Sequence, residues 1–217
     1  MSEAAHTART GAVPGVGRRS RTQARRERSL DRRGHLLDAA DRIVMRDGPS
    51  ASMNAIAAEA GITKPILYRH FGDKSGLYRA LAERYIDELL AEIRAGLITP
   101  GTRRDRTEAT IGAYLRVIER RPQVYRFLMH RASVEDAGVR SQVTLFLRRL
   151  AEELAGGIAL ELALDPGRRP LASAWAHGIV GMVQGAGDWW LDHPEVPRDS
   201  LVGQLTDLIF GAFATHP

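Results

Sequence analysis

The chain has 217 residues, 44% of them apolar and 26% charged, which is enough to bury a core, and it carries a formal net charge of +5 at pH 7. It contains no Cys, which excludes disulfides, thiol catalysis and a cysteine-based zinc site. No apolar run reaches the roughly 18 residues of a membrane span, and the chain does not open on the apolar stretch of a secretory signal, so a cytoplasmic protein without a membrane partner is expected.

The charge is uneven. Residues 1–33 hold 9 Arg against 3 acids, residues 34–74 are neutral, and the remainder is close to neutral. A basic tail of this kind attracts a polyanion. Its Gly- and Arg-rich stretch shows no apolar face, so residues 1–28 read as a disordered basic tail that becomes helical near Arg28.

From there the chain reads as a series of helices, about nine in all, with no convincing strand. The first covers roughly 31–46, with Leu36, Leu37, Ala40, Ile43 and Val44 on one stripe and Gly48-Pro49 as its stop. A short helix follows Ser52, a good N-cap, and ends at Gly61. The next begins after Thr63, with Pro65 in its first turn and Leu67 and Phe71 on its buried side. Asp73 opens a long helix to about Leu97. After Pro100-Gly101 come helices near 104–120, after Pro122, near 134–163, from Pro170 to Leu191, and from Arg198 to about Thr215.

The informative segment is 48–74. Two short helices joined by a tight Ala60-Gly61-Ile62 turn have the size of a helix-turn-helix, whose second helix enters the major groove of DNA. A plain three-helix unit would need only Ile56, Ala57, Leu67 and Phe71. Lys64, Tyr68, Arg69, His70 and Lys74 have no core role. Thr63, Tyr68, His70 and Lys74 carry donors suited to phosphate oxygens, and Arg69 carries the fork that reads guanine.

The ungapped run Ser52-Met53-x-x-Ile56-Ala57-x-x-Ala60-Gly61-Ile62-x-Lys64-x-x-Leu67-Tyr68-x-His70-Phe71-x-x-Lys74-x-x-Leu77 resembles the helix-turn-helix of the TetR/AcrR-type bacterial transcriptional regulators. The resemblance covers about residues 31–80. It implies an all-α homodimer on a palindromic double-stranded operator, usually a repressor, with a small-molecule effector site in the C-terminal part. The last two helices would pair with their copies in the partner subunit. Carried over residue by residue, it implies a DNA-binding set of Ser52, Thr63, Lys64, Pro65, Tyr68, Arg69, His70 and Lys74. Ser52 and Thr63 act as caps that bring helix N-termini to phosphates. Pro65-Ile66 stands where a small residue and Thr are frequent, and Arg69 occupies a variable position, so no operator sequence carries over.

The expected division is therefore a tail at 1–28, a DNA-binding unit at 29–76 and a ligand-binding and dimerisation unit at 77–217. Tyr114, Phe127, Phe146, Trp175, His177 and Met182 are candidate pocket residues, with Met129 and Trp189 as further apolar ones. His130, His177, Gln184 and Asp188 are candidate polar anchors, and the expected effector is apolar or amphipathic. Ala172, Ala176, Gly178, Gly181, Gly185 and Ala186 suit close packing across a twofold axis or a cavity next to their helix, and Leu201, Leu205, Leu208, Ile209 and Phe213 supply the other apolar face of a dimer.

No HExxH, GxSxG or paired Cys/His spacing occurs, and Gly72-Asp73-Lys74-Ser75 lacks the strand and glycines of a phosphate loop, so neither catalysis nor a cofactor is expected. The rival to a ligand-released regulator is a constitutive architectural DNA binder with a filled core.

Overall fold

Apolar residues at helical spacing build α1 at Val16–Asp47, α2 at Met53–Glu59, α3 at Lys64–Phe71, α4 at Lys74–Leu97, α5 at Arg103–Arg120, α6 at Pro122–Val134, α7 at Ala137–Glu161, α8 at Arg169–Trp190 and α9 at Arg198–Ala214. A short 3₁₀ turn, Gly48–Ser50, separates α1 from α2. The computed structural model describes residues 16–134 and 137–214, and among them there is no strand.

The boundaries follow local chemistry. The Ser52 hydroxyl accepts from Ala55 N at 3.1 Å and starts α2. Asp73 Oδ1 accepts from Gly76 N at 2.6 Å and starts α4. Thr102 and Asp105 form a reciprocal capping box at the start of α5.

The first helix differs from its expectation. It begins at Val16 rather than near Arg28, so the basic stretch 16–28 is helical. Arg, Gln, Glu and Ala are good helix formers, and their propensity carries α1 past the point where its apolar stripe ends. The rest of the expected tail, residues 1–15, lies outside the described residues.

One buried core runs through both halves of the chain, from Leu36, Ile43, Ile56 and Leu67 through Tyr78 and Leu89 to Leu115, Phe127 and Leu205. Each fully buried side chain of this size contributes about 1.5–3 kcal/mol. A smaller cluster around Ala151, Ile158, Ala172 and Ala176 joins α7 to α8. Ala172 and Ala176, expected at a twofold axis, thus serve contact within the subunit. Gly178, Gly181 and Gly185 face open space.

Candidate nucleic-acid interface and internal cavity

Leu67 and Phe71 anchor α3 by burial, at 0% and 8% exposure. Its 3.6-residue period then turns Lys64, Pro65 and Arg69 fully outward and leaves Tyr68 and His70 half-exposed. Ser52, Thr63 and Lys74 are exposed on the same end of the molecule. Lys64 Nζ lies 5.8 Å from the centroid of the Tyr68 ring, and Lys74 Nζ lies 5.6 Å from that of Tyr78.

Two glycines set the pose of α3. Gly61 takes φ +65°, the left-handed geometry that the turn after α2 requires. Gly76 permits a close approach: a Cβ there would lie 1.9 Å from the Phe71 carbonyl oxygen.

Thr63 is the N-cap of α3, as expected. Thr63 has N-cap backbone geometry, but its side chain makes no capping hydrogen bond. Pro65 lacks an N–H and the Ile66 N–H is taken by the Thr63 carbonyl at 3.0 Å, so the α3 N-terminus offers fewer donors to a phosphate than the α2 N-terminus does. Arg33 was missed by the sequence reading. It sits on α1 with its guanidinium 5.1 Å from the centroid of the Phe71 ring, beside the end of α3. Its spacing from Leu36 and Leu37 on one helix was the available signal.

The second feature is a cavity of about 730 Å³ among α4–α9. Its wall on α4 runs from Ala82 through Tyr85, Leu89 and Ile93 to Leu97. At about 1.5 Å per residue, those fifteen steps make a channel of roughly 22 Å. α7 runs alongside α4 in the same direction: Gln142 reaches Glu83 at 2.7 Å, and Arg94 reaches Glu153 at 3.0 Å. The channel therefore has an inner end near Tyr85, Tyr125 and Val143, and an outer end near Leu97, Arg103 and Leu160.

Of the candidate pocket residues, Tyr114 and Phe146 line this cavity, as do Met129 and Gln184. Phe127, Trp175, His177 and Met182 do not. Phe127 is fully buried, edge-on to Tyr78 at 4.9 Å. Trp175 packs on the small α7–α8 cluster. Met182 packs on the main core. His177 is exposed, with Nδ1 2.8 Å from the Ser173 carbonyl oxygen. The His130 side chain lies outside what is described. Asp188 is off the walls but accepts from the Tyr125 hydroxyl, which lies 3.1 Å from the Tyr114 hydroxyl. Burial pushes the hydroxyls of Tyr85, Tyr114 and Tyr125 up, so all three stay protonated at neutral pH.

Among the described residues no group of His, Asp or Glu is arranged to hold a metal, and no helix is long and apolar enough to cross a membrane.

The family model described as bacterial regulatory proteins, tetR family, matches residues 36–81. The one described as tetracyclin repressor-like, C-terminal domain, matches residues 92–217. The chain is 30% identical to the HTH-type transcriptional activator FasR of Mycolicibacterium smegmatis, over 100% of this chain and 98% of that protein. It is 30% identical to an uncharacterized HTH-type transcriptional regulator of Mycobacterium tuberculosis, over 92% of this chain and 86% of the other. A tetR-family regulator from Streptomyces coelicolor superimposes with a TM-score of 0.70 at 23% identity, covering 85% of this chain and 81% of its own. The fatty acid degradation regulator FadR from Bacillus halodurans gives 0.63 at 16% identity, covering 82% and 93%. These two structural likenesses speak to the fold alone.

Proposed function

The chain belongs to the TetR family of DNA-binding transcriptional regulators, and from that premise we propose that it is a homodimeric repressor released from a palindromic operator by a small apolar or amphipathic ligand. The observation that carries the DNA-reading part is the face of α3: Lys64, Pro65 and Arg69 point outward while Leu67 and Phe71 hold the helix down. In this reading Arg69 reads base edges, and Ser52, Thr63, Lys64, Tyr68, His70 and Lys74 grip the backbone. Residues 29–76 form the reader, and residues 77–217 form the effector and dimer unit, acting in the cytoplasm.

The cavity favours a ligand-controlled protein over a constitutive architectural binder, which has no use for an empty interior of this size. The same helix, α4, starts beside α3 and walls the cavity along most of its length. A ligand that prefers another tilt of α4 changes the separation of the two recognition helices, which must match a DNA turn of about 34 Å. The effect is bounded by the ligand's differential affinity for the two tilts.

For dimerisation, the support is an outward stripe on α8 and α9. Leu171, Trp189 and Leu208 are exposed there, and Gly178, Gly181 and Gly185 leave room for a second helix. The outcome at a promoter depends on operator position. FasR is called an activator, whereas an operator overlapping a polymerase site gives repression.

Genomic fragments selected on the immobilised protein test the proposal. They should share a twofold-symmetric sequence with half-sites about one turn apart. Fragments without a shared symmetric sequence would reject it.

A further inference from the structure

The two ends of the cavity differ in what they leave unsatisfied. At the outer end, Leu97, Leu160 and Leu162 are exposed large apolar residues, with Leu160 at 82% exposure. Arg103 and Arg106 are the only cations among the lining residues. Both are already engaged: Arg106 donates to the Gly101 carbonyl at 2.9 Å and to Glu161 at 3.3 Å, and Arg103 lies 3.9 Å from the same carboxylate. The outer rim is thus apolar, with two guanidiniums sharing one carboxylate at its exposed edge.

The middle is aliphatic and aromatic, with Leu89, Ile93, Phe146, Leu150 and Leu154 on the walls. At the inner end the free hydrogen-bonding capacity reappears. Gln184 lines the cavity, and the contact made by its amide is to the Met129 thioether at 3.9 Å, a weak acceptor. The Tyr85 hydroxyl is buried without a hydrogen-bond partner. A buried polar group left in this state is costly, and a hydrogen-bonding ligand atom relieves it. Behind this end four carboxylates, Asp38, Asp41, Glu88 and Asp188, stand against two guanidiniums, Arg121 and Arg84. An anion entering there would meet repulsion and no free cation.

We infer that the molecule held by this cavity is uncharged, elongated and apolar, with one hydrogen-bonding oxygen buried at Gln184 and its apolar tail directed to the Leu97–Leu160 mouth. A ketone, ester, lactone or alcohol oxygen satisfies the amide, and Tyr85 on α4 stands as a second donor lining the same cavity. A carboxylate in this pose is rejected because its charge would be desolvated at the inner end, where carboxylates outnumber cations. The inference rests on the reading of the cavity as an effector site.

Titration of the full chain by tryptophan fluorescence with 2-undecanone, undecanoate and undecane at pH 8 tests it. Wild type should bind the ketone about tenfold more tightly than the carboxylate. Gln184→Met, which keeps volume but removes the amide, should weaken ketone binding about 3- to 10-fold and leave the alkane unchanged. Carboxylate binding as tight as ketone binding in wild type overturns the inference, and that comparison needs no variant. An unchanged ketone affinity in a folded Gln184→Met protein overturns the assignment to Gln184. Failure of all three probes to bind overturns the effector-site reading itself, and the inference with it.

Discussion

Arg121 Nη1 lies 2.8 Å from Glu88 Oε2, so the junction between α5 and α6 is clamped to the middle of α4. The same guanidinium reaches Asp41 on α1 at 3.8 Å. One side chain therefore touches the helix that leads into the DNA reader and the helix that walls the cavity. Arg84 adds a second tie from α4 to α1, 2.6 Å from Asp38.

This cluster has a pH signature. Burial holds the Asp41 carboxyl above its usual 3.8, against the opposing pull of Arg121 and Arg84. The fold thus favours the protonated form. That contribution is fully present below 3.8 and is lost as pH rises through the higher folded value. Asp41→Asn, which cannot titrate, should flatten the dependence of stability on pH in that window. Urea unfolding from pH 3.5 to 6.5 measures it, and an unchanged slope would show that Asp41 does not titrate differently on folding.

Arg69 and Lys64 should fail differently. Arg69→Ala should cost about 1–3 kcal/mol at the operator and relax specificity at one base pair. Lys64→Ala should weaken binding to all sequences alike and reduce the salt slope by about 1. Binding measured against salt on operator and non-operator DNA separates the two. Wild-type affinity in both would contradict the assignment of α3 to the groove.

Gly76→Ala should destabilise the protein by about 1–3 kcal/mol, because its Cβ would meet the Phe71 carbonyl oxygen, and a backbone atom cannot swing away. Since that carbonyl closes α3, operator affinity should fall as well. Gly156→Ala is the control: beyond its own helical backbone nothing lies within 4 Å of its Cβ position, and removing a mid-helix glycine should stabilise by about 0.5–1 kcal/mol. Thermal unfolding of the two variants should move in opposite directions.

Leu208 is 61% exposed on α9. Leu208→Glu should weaken self-association about tenfold or more, the effect of about 1.4 kcal/mol, by placing a charge in the proposed subunit interface. Light scattering across a dilution series reads it. An unaltered dimer would move the interface elsewhere.

Much of this protein was legible in its residues because the signals are local. The Leu36–Val44 stripe, the Ser52 and Asp73 caps and the Gly61 turn each report on neighbours within one or two helical turns. The outward set on α3 follows from the same periodicity once Leu67 and Phe71 are placed inside. The start of α1 was misjudged because a polar helix without an apolar stripe carries no periodic mark, only propensity. The cavity was legible in part. Tyr114 and Phe146 line it, while Phe127, equally aromatic, fills solid core and Trp175 packs half-buried on the α7–α8 cluster. Nothing in an aromatic residue's own helix distinguishes these fates. Whether a side chain meets a void or a neighbour is decided by how the helices cross, through contacts such as Gln142–Glu83 and Arg94–Glu153, each 59 positions apart. Local sequence thus determined the helices and the outward face of α3, and tertiary packing alone decided where the empty space lies and which polar groups border it.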